Sequence, residues 1–273
     1  MTKIKVLIAV KTYPTLSSKY EELVCTAGFR EDGSWIRLYP VPFRKLDYAG
    51  QYKKYEWIEI DVVKNERDFR KESYRPINID VQPQVLDLID TSNNWEKRKE
   101  FVLKNIYYDL ELLINEAKDE KIATSLAVFK PTKILDFYAK ESEREWDKDK
   151  LSQLQQGNLF EEKPSGGAQI VKKLPYTFHF KFQDIKGKES NMMIEDWEVG
   201  ALFWNCLRRY GNEETAIEKV RAKYFDDFAK TKDLYFFLGT SLVSHARKFN
   251  NPFMIIGTFH PTFPKIEAQL SLF

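Results

Sequence analysis

Cysteine and histidine are scarce in this sequence, and their scarcity excludes several classes of site. The 273 residues include two cysteines, Cys25 and Cys206, and three histidines. Two cysteines are too few for a disulfide framework or a cysteine-rich zinc site, and they are typical of buried thiols in a reducing compartment. His179, His245 and His260 lack the spacing of paired metal ligands. We therefore predict no metal site and no cofactor.

The sequence also lacks a long apolar run and a strong excess of charge of either sign. No stretch approaches the roughly 18 consecutive apolar residues that a membrane-spanning helix needs, so we expect a cytoplasmic protein without a membrane partner. Lys and Arg number 43 against 41 Asp and Glu, which leaves a formal net charge of +2. A nucleic-acid-binding surface must therefore be a local patch.

Glycine-rich phosphate-binding loops are missing as well. The sequence has neither a Walker loop nor a GxGxxG motif. The segment "FLGTS" lies at a predicted strand-to-helix junction, where backbone N–H groups are able to hold an anion. The alternative interpretation is a plain helix N-cap by Thr240 or Ser241. No catalytic constellation emerges from these motifs.

Residues 1–90 are predicted to form a β-rich domain. Four apolar or alternating runs predict strands, and Asp32-Gly33 predicts a hairpin turn before the third of them. The runs are "KVLIAVKTY", "YEELVCTAGF", "WIRLYPVPF" and "KYEWIEIDVV". Four such strands predict a small curved β-sheet or barrel.

A helical section is predicted over residues 91–152, followed by a linker over 153–169. Apolar residues recur in the helical section at helical spacing: Val102, Ile106, Leu110, Leu113 and Ala117. The linker is predicted from its content of Gly, Pro, Ser, Gln and charged residues. We place the domain boundary there.

Residues 170–262 are predicted to form a mixed helical and strand domain, and residues 263–273 a flexible tail. "YTFHFKF" alternates, which places its aromatic side chains on one face of a strand. The next helix is predicted to end at Gly211, and Asn212 is predicted to cap the one after it. The predicted fold class is α+β.

Aromatic and basic residues are interleaved in the β-rich domain. Strand alternation places Trp35, Arg37 and Tyr39 on one face, and basic residues follow in the next two loops. Bases stack on aromatic rings while Lys and Arg neutralise phosphates, and small β-barrels are common platforms for this. The predicted nucleic-acid-binding residues are Trp35, Arg37, Tyr39, Arg44, Lys45, Lys53, Lys54, Arg70 and Arg75, with Arg67 and Lys71 in the same stretch.

Two structural interpretations compete with nucleic-acid binding at this face. Glu59 and Asp61 are candidates to pair with Arg37 across the sheet. Alternatively, the Trp and Tyr side chains belong to the core of a sheet that is covered on both faces. The sequence leaves all three interpretations open.

Glu195, Asp196 and Glu198 form an acidic cluster at the start of a predicted helix. Three carboxylates so close together are able to bind a divalent cation, as metal-dependent nucleases require. Acidic residues in a first helical turn also complement the helix dipole without any metal. We prefer the helix-start interpretation, and we therefore expect no cleavage of DNA.

The last five residues, "QLSLF", resemble the pentapeptide by which bacterial proteins dock on the DNA polymerase sliding clamp. The resemblance implies that Gln269 hydrogen-bonds at the pocket rim, that Leu270 fills a small subsite, and that Leu272 and Phe273 enter the main apolar pocket, with Ser271 between them. A few buried anchors supply the affinity of such peptides. The alternative is a strand that completes the domain's own core.

A second, partial match to this pentapeptide lies in the predicted linker. "QGNLF" keeps Gln156, Leu159 and Phe160 at the matching places, but Gly157 replaces the second-position Leu. Two motifs on one chain are able to engage two pockets of a ring and gain from effective concentration. The alternative is that Leu159 and Phe160 fold onto a domain.

The body of the chain resembles uncharacterised bacterial proteins in "LVCTAGFREDGSWIRLYPVPFRKL", "LPYTFHFKF" and "MMIEDWEVGALFWNC", a resemblance that implies no activity. We therefore expect a DNA-associated factor that the sliding clamp recruits to replication or repair. One alternative is a clamp-tethered, metal-dependent nuclease or other DNA-processing enzyme. Another is an RNA- or modified-base-binding module whose tail packs on its own core.

Overall fold

The structure, a computed structural model, describes residues 2–17, 21–149 and 171–264. Two β-sheets carry the fold, and helices pack mainly against the second, so the α+β class is confirmed. The predicted linker over 153–169 and both clamp-motif segments, 156–160 and 269–273, lie outside the described residues. Within the described ranges, no helix combines the length and the apolar character needed to cross a membrane.

The first sheet closes into the predicted barrel. Its closed path runs β1-β3-β4-β6-β5, and β5 pairs back onto β1. The apolar side chains that alternate inward, such as Ile8, Ile36 and Leu38, fill the barrel. The strands are β1 (Thr2–Lys11), β2 (Thr15–Ser17), β3 (Glu21–Phe29), β4 (Trp35–Val41), β5 (Glu56–Lys64), β6 (Ser73–Pro76) and β7 (Gln84–Leu88).

The second sheet is mixed and has the order β10-β11-β12-β14-β13-β9-β8. Phe178, Phe180 and Phe182 of β11 are buried on one face, as the alternation predicts. The helices over Leu110–Lys118, Trp197–Tyr210 and Glu213–Arg221 cover this face. The strands are β8 (Ile106–Tyr107), β9 (Leu126–Phe129), β10 (Lys133–Glu141), β11 (Tyr176–Gln183), β12 (Glu189–Ile194), β13 (Tyr235–Thr240) and β14 (Phe253–Phe259).

The helix boundaries follow their local sequence signals. Gly211 ends α3 with a positive φ of 78°, and the Asn212 side chain accepts a hydrogen bond from the Thr215 N–H at the start of α4, both as predicted. The α-helices that lie wholly within the described residues are α1 (Ser92–Val102), α2 (Leu110–Lys118), α3 (Trp197–Tyr210), α4 (Glu213–Arg221) and α5 (Leu242–Ala246). A π-helical turn covers Ala222–Ala229, and short 3-10 helices cover Phe43–Lys45 and Tyr48–Gly50.

The section over residues 91–152 is not helical throughout, and this corrects the prediction. It holds α1 and α2, but also β8, β9 and β10 of the second sheet. Ile106 pairs with Val128 in a parallel bridge, and Asp109 then starts α2 by accepting hydrogen bonds from the Glu111 and Leu112 N–H groups. The apolar residues that share a helical spacing from Val102 to Ala117 therefore belong to two separate helices and to β8 between them. The predicted linker segment joins β10 to β11, which are neighbouring antiparallel strands.

The barrel and the second sheet share an apolar seam. Trp35 of β4 lies with its ring centroid 4.1 Å from Phe29 and 5.7 Å from Phe237. Phe29 and Phe237 are buried in one cluster with Phe259 and Leu7. The face of β4 that carries Trp35 therefore packs on the second sheet, as in the interpretation of a sheet covered on both faces.

We expect Trp35→Ala to lower the free energy of unfolding by about 2–4 kcal/mol, because it opens a gap in this half-buried aromatic seam. Chemical denaturation monitored by circular dichroism measures the change. Tyr39→Ala, on the same face of β4 but exposed, is the matched control and should change stability far less. Equal effects of the two substitutions would show that the seam does not stabilise the fold.

Candidate nucleic-acid interface

A cavity of about 1120 Å³ lies between the barrel and the second sheet. The barrel contributes the end of β4 and the chain around β5 and β6, and the second sheet contributes the ends of β12, β13 and β14. Along β4, Trp35 seals the sheets together, whereas Arg37 and Tyr39 line the cavity. One end of β4, at Trp35, therefore packs against the second sheet, while the other end, at Tyr39, borders the cavity.

Arg37 forms part of the buried wall of this cavity. Its side chain is 3 % exposed, and Nη1 donates to Glu72 Oε1 at 3.0 Å and to Ser125 Oγ at 2.9 Å. Nη2 donates to the Ser125 carbonyl at 3.2 Å. These bonds join the barrel to the second sheet, so Arg37 has a structural task that does not require a phosphate. Glu59 and Asp61, the predicted partners of Arg37, lie on β5 instead, where they stand opposite Lys5 and Lys3 of β1.

Arg70 is the second buried guanidinium of the wall. It donates to both Asp68 oxygens, at 2.7 and 2.5 Å, and to the Thr240 carbonyl at 2.6 Å. Burial opposes ionisation of Asp68, but hydrogen bonds from Arg70 and Ser73 lower the pKa of Asp68 to about 2. The Asp68 carboxyl is therefore ionised at neutral pH, and its bonds with Arg70 fix the loop between β5 and β6.

This fixed loop directs its other side chains outward. Asp68 and Arg70 are buried. Phe69, which lies between them, and Arg67, which precedes them, are exposed. Phe69 is 55 % exposed, and its ring contacts that of buried His245 edge-on at 5.1 Å. Because Asp68 and Arg70 are fixed in the interior, the loop presents the Arg67 and Phe69 side chains on its outer surface, beside the cavity.

Three exposed cations line the opening of the cavity: Lys64, Arg67 and Arg75. Among the described residues, none of them lies within ion-pair distance of a carboxylate. Lys64 Nζ donates to the carbonyls of Arg70, at 3.0 Å, and Lys71, and Arg75 Nη1 reaches the carbonyls of Pro76 and Ile77 at 3.5 and 3.4 Å. Their charge is therefore available to an anionic ligand.

Inside the cavity, Glu195 presents a carboxyl group without a partner in the described chain. Its backbone N–H donates to the Ile255 carbonyl at 2.8 Å, which fixes the residue just after β12. Burial raises the pKa of the Glu195 carboxyl and that of the nearby Cys25 thiol. A thiol with a raised pKa is a poor nucleophile because little of it is thiolate at neutral pH. The polar groups of the cavity are therefore better suited to binding a ligand than Cys25 is to nucleophilic catalysis.

The structure brings four of the predicted nucleic-acid-binding residues to this cavity, namely Arg37, Tyr39, Arg70 and Arg75. Trp35 lies in the apolar seam. The others lie outside the cavity lining: Arg44 pairs with Glu22 at 2.8 Å, Lys45 and Lys53 are exposed between β4 and β5, and Lys54 pairs with Asp196. The predicted residues therefore do not form one continuous surface.

The acidic cluster divides between two environments. Asp196 caps α3 by accepting from the Glu198 N–H, and the Lys54 ammonium donates to Asp196 at 2.8 and 2.9 Å and to Glu198 at 2.9 Å. Glu195 lines the cavity instead. Lys54 holds the two helix-start carboxylates from the barrel side, which agrees with a structural role at the helix start.

Sequence reasoning missed Phe69 and the place of Glu195 in the cavity. Phe69 carries a signal, since "RDFRK" sets one aromatic residue among charges outside any predicted strand. Glu195 was noticed only as part of the acidic cluster. Its separation from Asp196 depends on β12 lying beside β14, which no local pattern reveals. Ser241 caps α5 by accepting from the Ser244 N–H, in agreement with the N-cap interpretation of "FLGTS".

Family models match the chain in two consecutive pieces. Residues 2–104 match a domain of unknown function (DUF8758), and residues 106–273 match a second domain of unknown function (DUF8757). The first match covers the barrel with α1, and the second begins at β8. No curated protein matches the chain. The cavity therefore lies between the parts of the chain that the two models cover.

We expect Glu195→Gln to stabilise the protein more at about pH 8 than at about pH 4, relative to the wild type. The raised pKa means that the folded state holds the Glu195 proton more tightly than the unfolded chain does. As the pH rises through this window, the wild type therefore loses stability that the glutamine variant keeps. Thermal melting of both proteins across this pH range measures the difference.

Glu213→Gln is the control of opposite sign. Hydrogen bonds from Arg144 and Tyr176 lower the pKa of Glu213 to about 2, so this substitution should cost more stability at higher pH. A Glu195→Gln effect that stays constant with pH would contradict the burial of the Glu195 carboxyl.

Proposed function

Because the chain belongs to the family described as a domain of unknown function (DUF8757), whose description names no activity, we propose a function from the residues themselves. The protein is a DNA-associated factor that docks on the DNA polymerase sliding clamp through residues 269–273. It holds DNA against the cation-lined opening of the central cavity. Clamp binding recruits it to sites of replication and repair.

The DNA contact is supported by the unpaired charge at the cavity opening. Lys64, Arg67 and Arg75 lie on one cavity without carboxylate partners in the described chain, although the net charge of the protein is only +2. Lys and Arg that neutralise phosphates release condensed counterions, which favours binding. Tyr39 adds an aromatic ring to the same lining, and bases stack on such rings. The charge of these three cations at one cavity is the main support for DNA binding.

The clamp contact is supported by the pentapeptide alone. Leu272 and Phe273 are large apolar anchors, and Gln269 is a polar group able to set the register. An extended peptide with a few buried anchors binds a groove without a preformed domain interface. The cavity residues lie in the barrel and second sheet, so the two contacts use different parts of the chain.

We expect a protein that ends at Ala268 to lose binding to purified bacterial sliding clamp in a pull-down, with an unchanged melting temperature. The combined substitution of Leu272→Ala and Phe273→Ala should have the same effect, because it removes both apolar anchors. Ser271→Ala is the matched control and should retain binding. A truncated protein that melts several degrees lower would indicate that the tail belongs to the core.

We expect Arg67→Ala and Arg75→Ala to weaken DNA binding, and each to reduce the slope of log affinity against log salt by about one. Both side chains are exposed, so neither substitution should change the melting temperature. Fluorescence anisotropy with labelled duplex DNA at several salt concentrations measures affinity and slope.

Arg209→Ala is the control for these substitutions. Arg209 is an exposed arginine at the end of α3 and does not line the cavity. Equal losses from Arg209→Ala and Arg67→Ala would indicate a diffuse electrostatic contact rather than a site at the cavity. Binding of RNA without binding of DNA would contradict the proposal.

A further inference from the structure

We infer that the central cavity receives a single nucleobase turned out of a DNA duplex, while the Phe69 ring enters the space that the base leaves. This inference rests on the proposed DNA binding and specifies how the DNA would engage the site. Three independent features of the described residues support it: the cavity interior, the loop that carries Phe69, and the position of the cations.

The cavity interior suits a flat, partly polar group. Its volume of about 1120 Å³ is slightly above the roughly 300–1,000 Å³ typical of small-molecule sites, so it has room for a base with its sugar. Met254, Ile256 and Pro40 supply apolar surface, and Tyr39 supplies an aromatic ring. Extrahelical bases are held by stacking between such aromatic and apolar side chains.

Polar groups in the same lining are able to recognise the edge of a base. Glu195 has no hydrogen-bond partner for its carboxyl in the described chain, and the Thr12 hydroxyl, which accepts from the Cys25 N–H, has its own hydrogen to donate. A carboxylate accepts hydrogen bonds from exocyclic amino or ring N–H groups of a base. The Glu195 side chain is half-buried, and a hydrogen bond from a base to its carboxyl would form with only part of that group in contact with water.

Phe69 has the position and the rigidity that a wedge needs. The two residues flanking it, Asp68 and Arg70, are buried, bonded to each other and line the cavity. The exposed ring also rests edge-on against His245 of α5. Proteins that open a base step insert apolar side chains such as Phe or Leu between neighbouring bases. A ring held beside a cavity is therefore placed to replace the base that enters it.

The cations would set the DNA backbone in register with this wedge. Arg67 lies two residues from Phe69 on the same loop, and both side chains are exposed. Lys64 precedes the loop, and Arg75 follows it on β6. Contacts from Lys and Arg to phosphates fix the orientation of a protein on DNA without reading its sequence. The phosphates on either side of the displaced nucleotide are the groups that these cations would hold.

The test is fluorescence of a duplex oligonucleotide that carries one 2-aminopurine, mixed with the full-length protein. Stacking on its neighbouring bases quenches 2-aminopurine, so its fluorescence should rise several-fold when it leaves the duplex, while anisotropy of an end label reports binding separately. We expect Phe69→Ala to lose most of the fluorescence rise and Phe69→Leu to retain much of it, since Leu also serves as a wedge. Tyr39→Ala should weaken binding roughly tenfold by removing a stacking partner.

Tyr108→Ala is the matched control, because Tyr108 is also an exposed aromatic residue but does not line the cavity. Melting temperatures of all variants check that they fold. Binding by the wild type without a fluorescence rise, or a rise that Phe69→Ala leaves intact, would overturn the base-pocket inference and leave the DNA-binding proposal standing. The absence of any anisotropy change with the wild type would overturn both.

Discussion

The Arg37 guanidinium lies buried between the barrel and the second sheet, where its hydrogen bonds to Glu72 and Ser125 connect the two. Removing either kind of partner would leave a charge or a donor unsatisfied in a site with little access to water. These hydrogen bonds therefore form only when the barrel and the second sheet meet in one relative orientation. Arg70 repeats the arrangement with Asp68 and the Thr240 carbonyl.

These polar contacts also explain why a cavity persists beside a well-packed seam. At the Trp35 end of β4, aromatic rings approach within ordinary contact distance and close the space. At the Tyr39 end, paired guanidinium and carboxylate groups must keep their hydrogen-bond geometry, which limits how closely the sheets can collapse. The change from apolar to polar side chains along one strand thus produces the open site.

Local patterns predicted several elements of the fold, such as β1, β4, β5 and β11, but not what each face contacts. Alternation correctly grouped Trp35, Arg37 and Tyr39 on one side of β4, yet Ser125 and Phe237, which cover this face, lie far away in the chain. Caps at Gly211 and Asn212 were predictable because a few adjacent residues determine them. The two-residue strand β8 was not, since it exists only through its pairing with β9.

The same non-locality limited the prediction of the site. The cavity collects side chains from β4, from the chain around β5 and β6, and from the ends of three strands of the second sheet. Charge and aromatic content pointed to the barrel, but only tertiary packing separates Arg75, which remains available, from Arg70, which is bound to Asp68. Glu195 and Asp196 are adjacent in sequence and still serve different environments for the same reason.

The connection between β10 and β11 has a consequence for how this chain tolerates change. Glu141 pairs with Tyr176 at the end of the ladder, and the Ser142 N–H donates to the Pro175 carbonyl at 2.9 Å. The two ends of the connection, at Ser142 and Pro175, are therefore held next to each other. Since the entropy of closing a loop grows only slowly with its length, joining two strands whose ends are already adjacent costs little more free energy for a long connection than for a short one. The pairing of β10 with β11 therefore depends on the ladder itself and only weakly on the length of chain that joins the two strands.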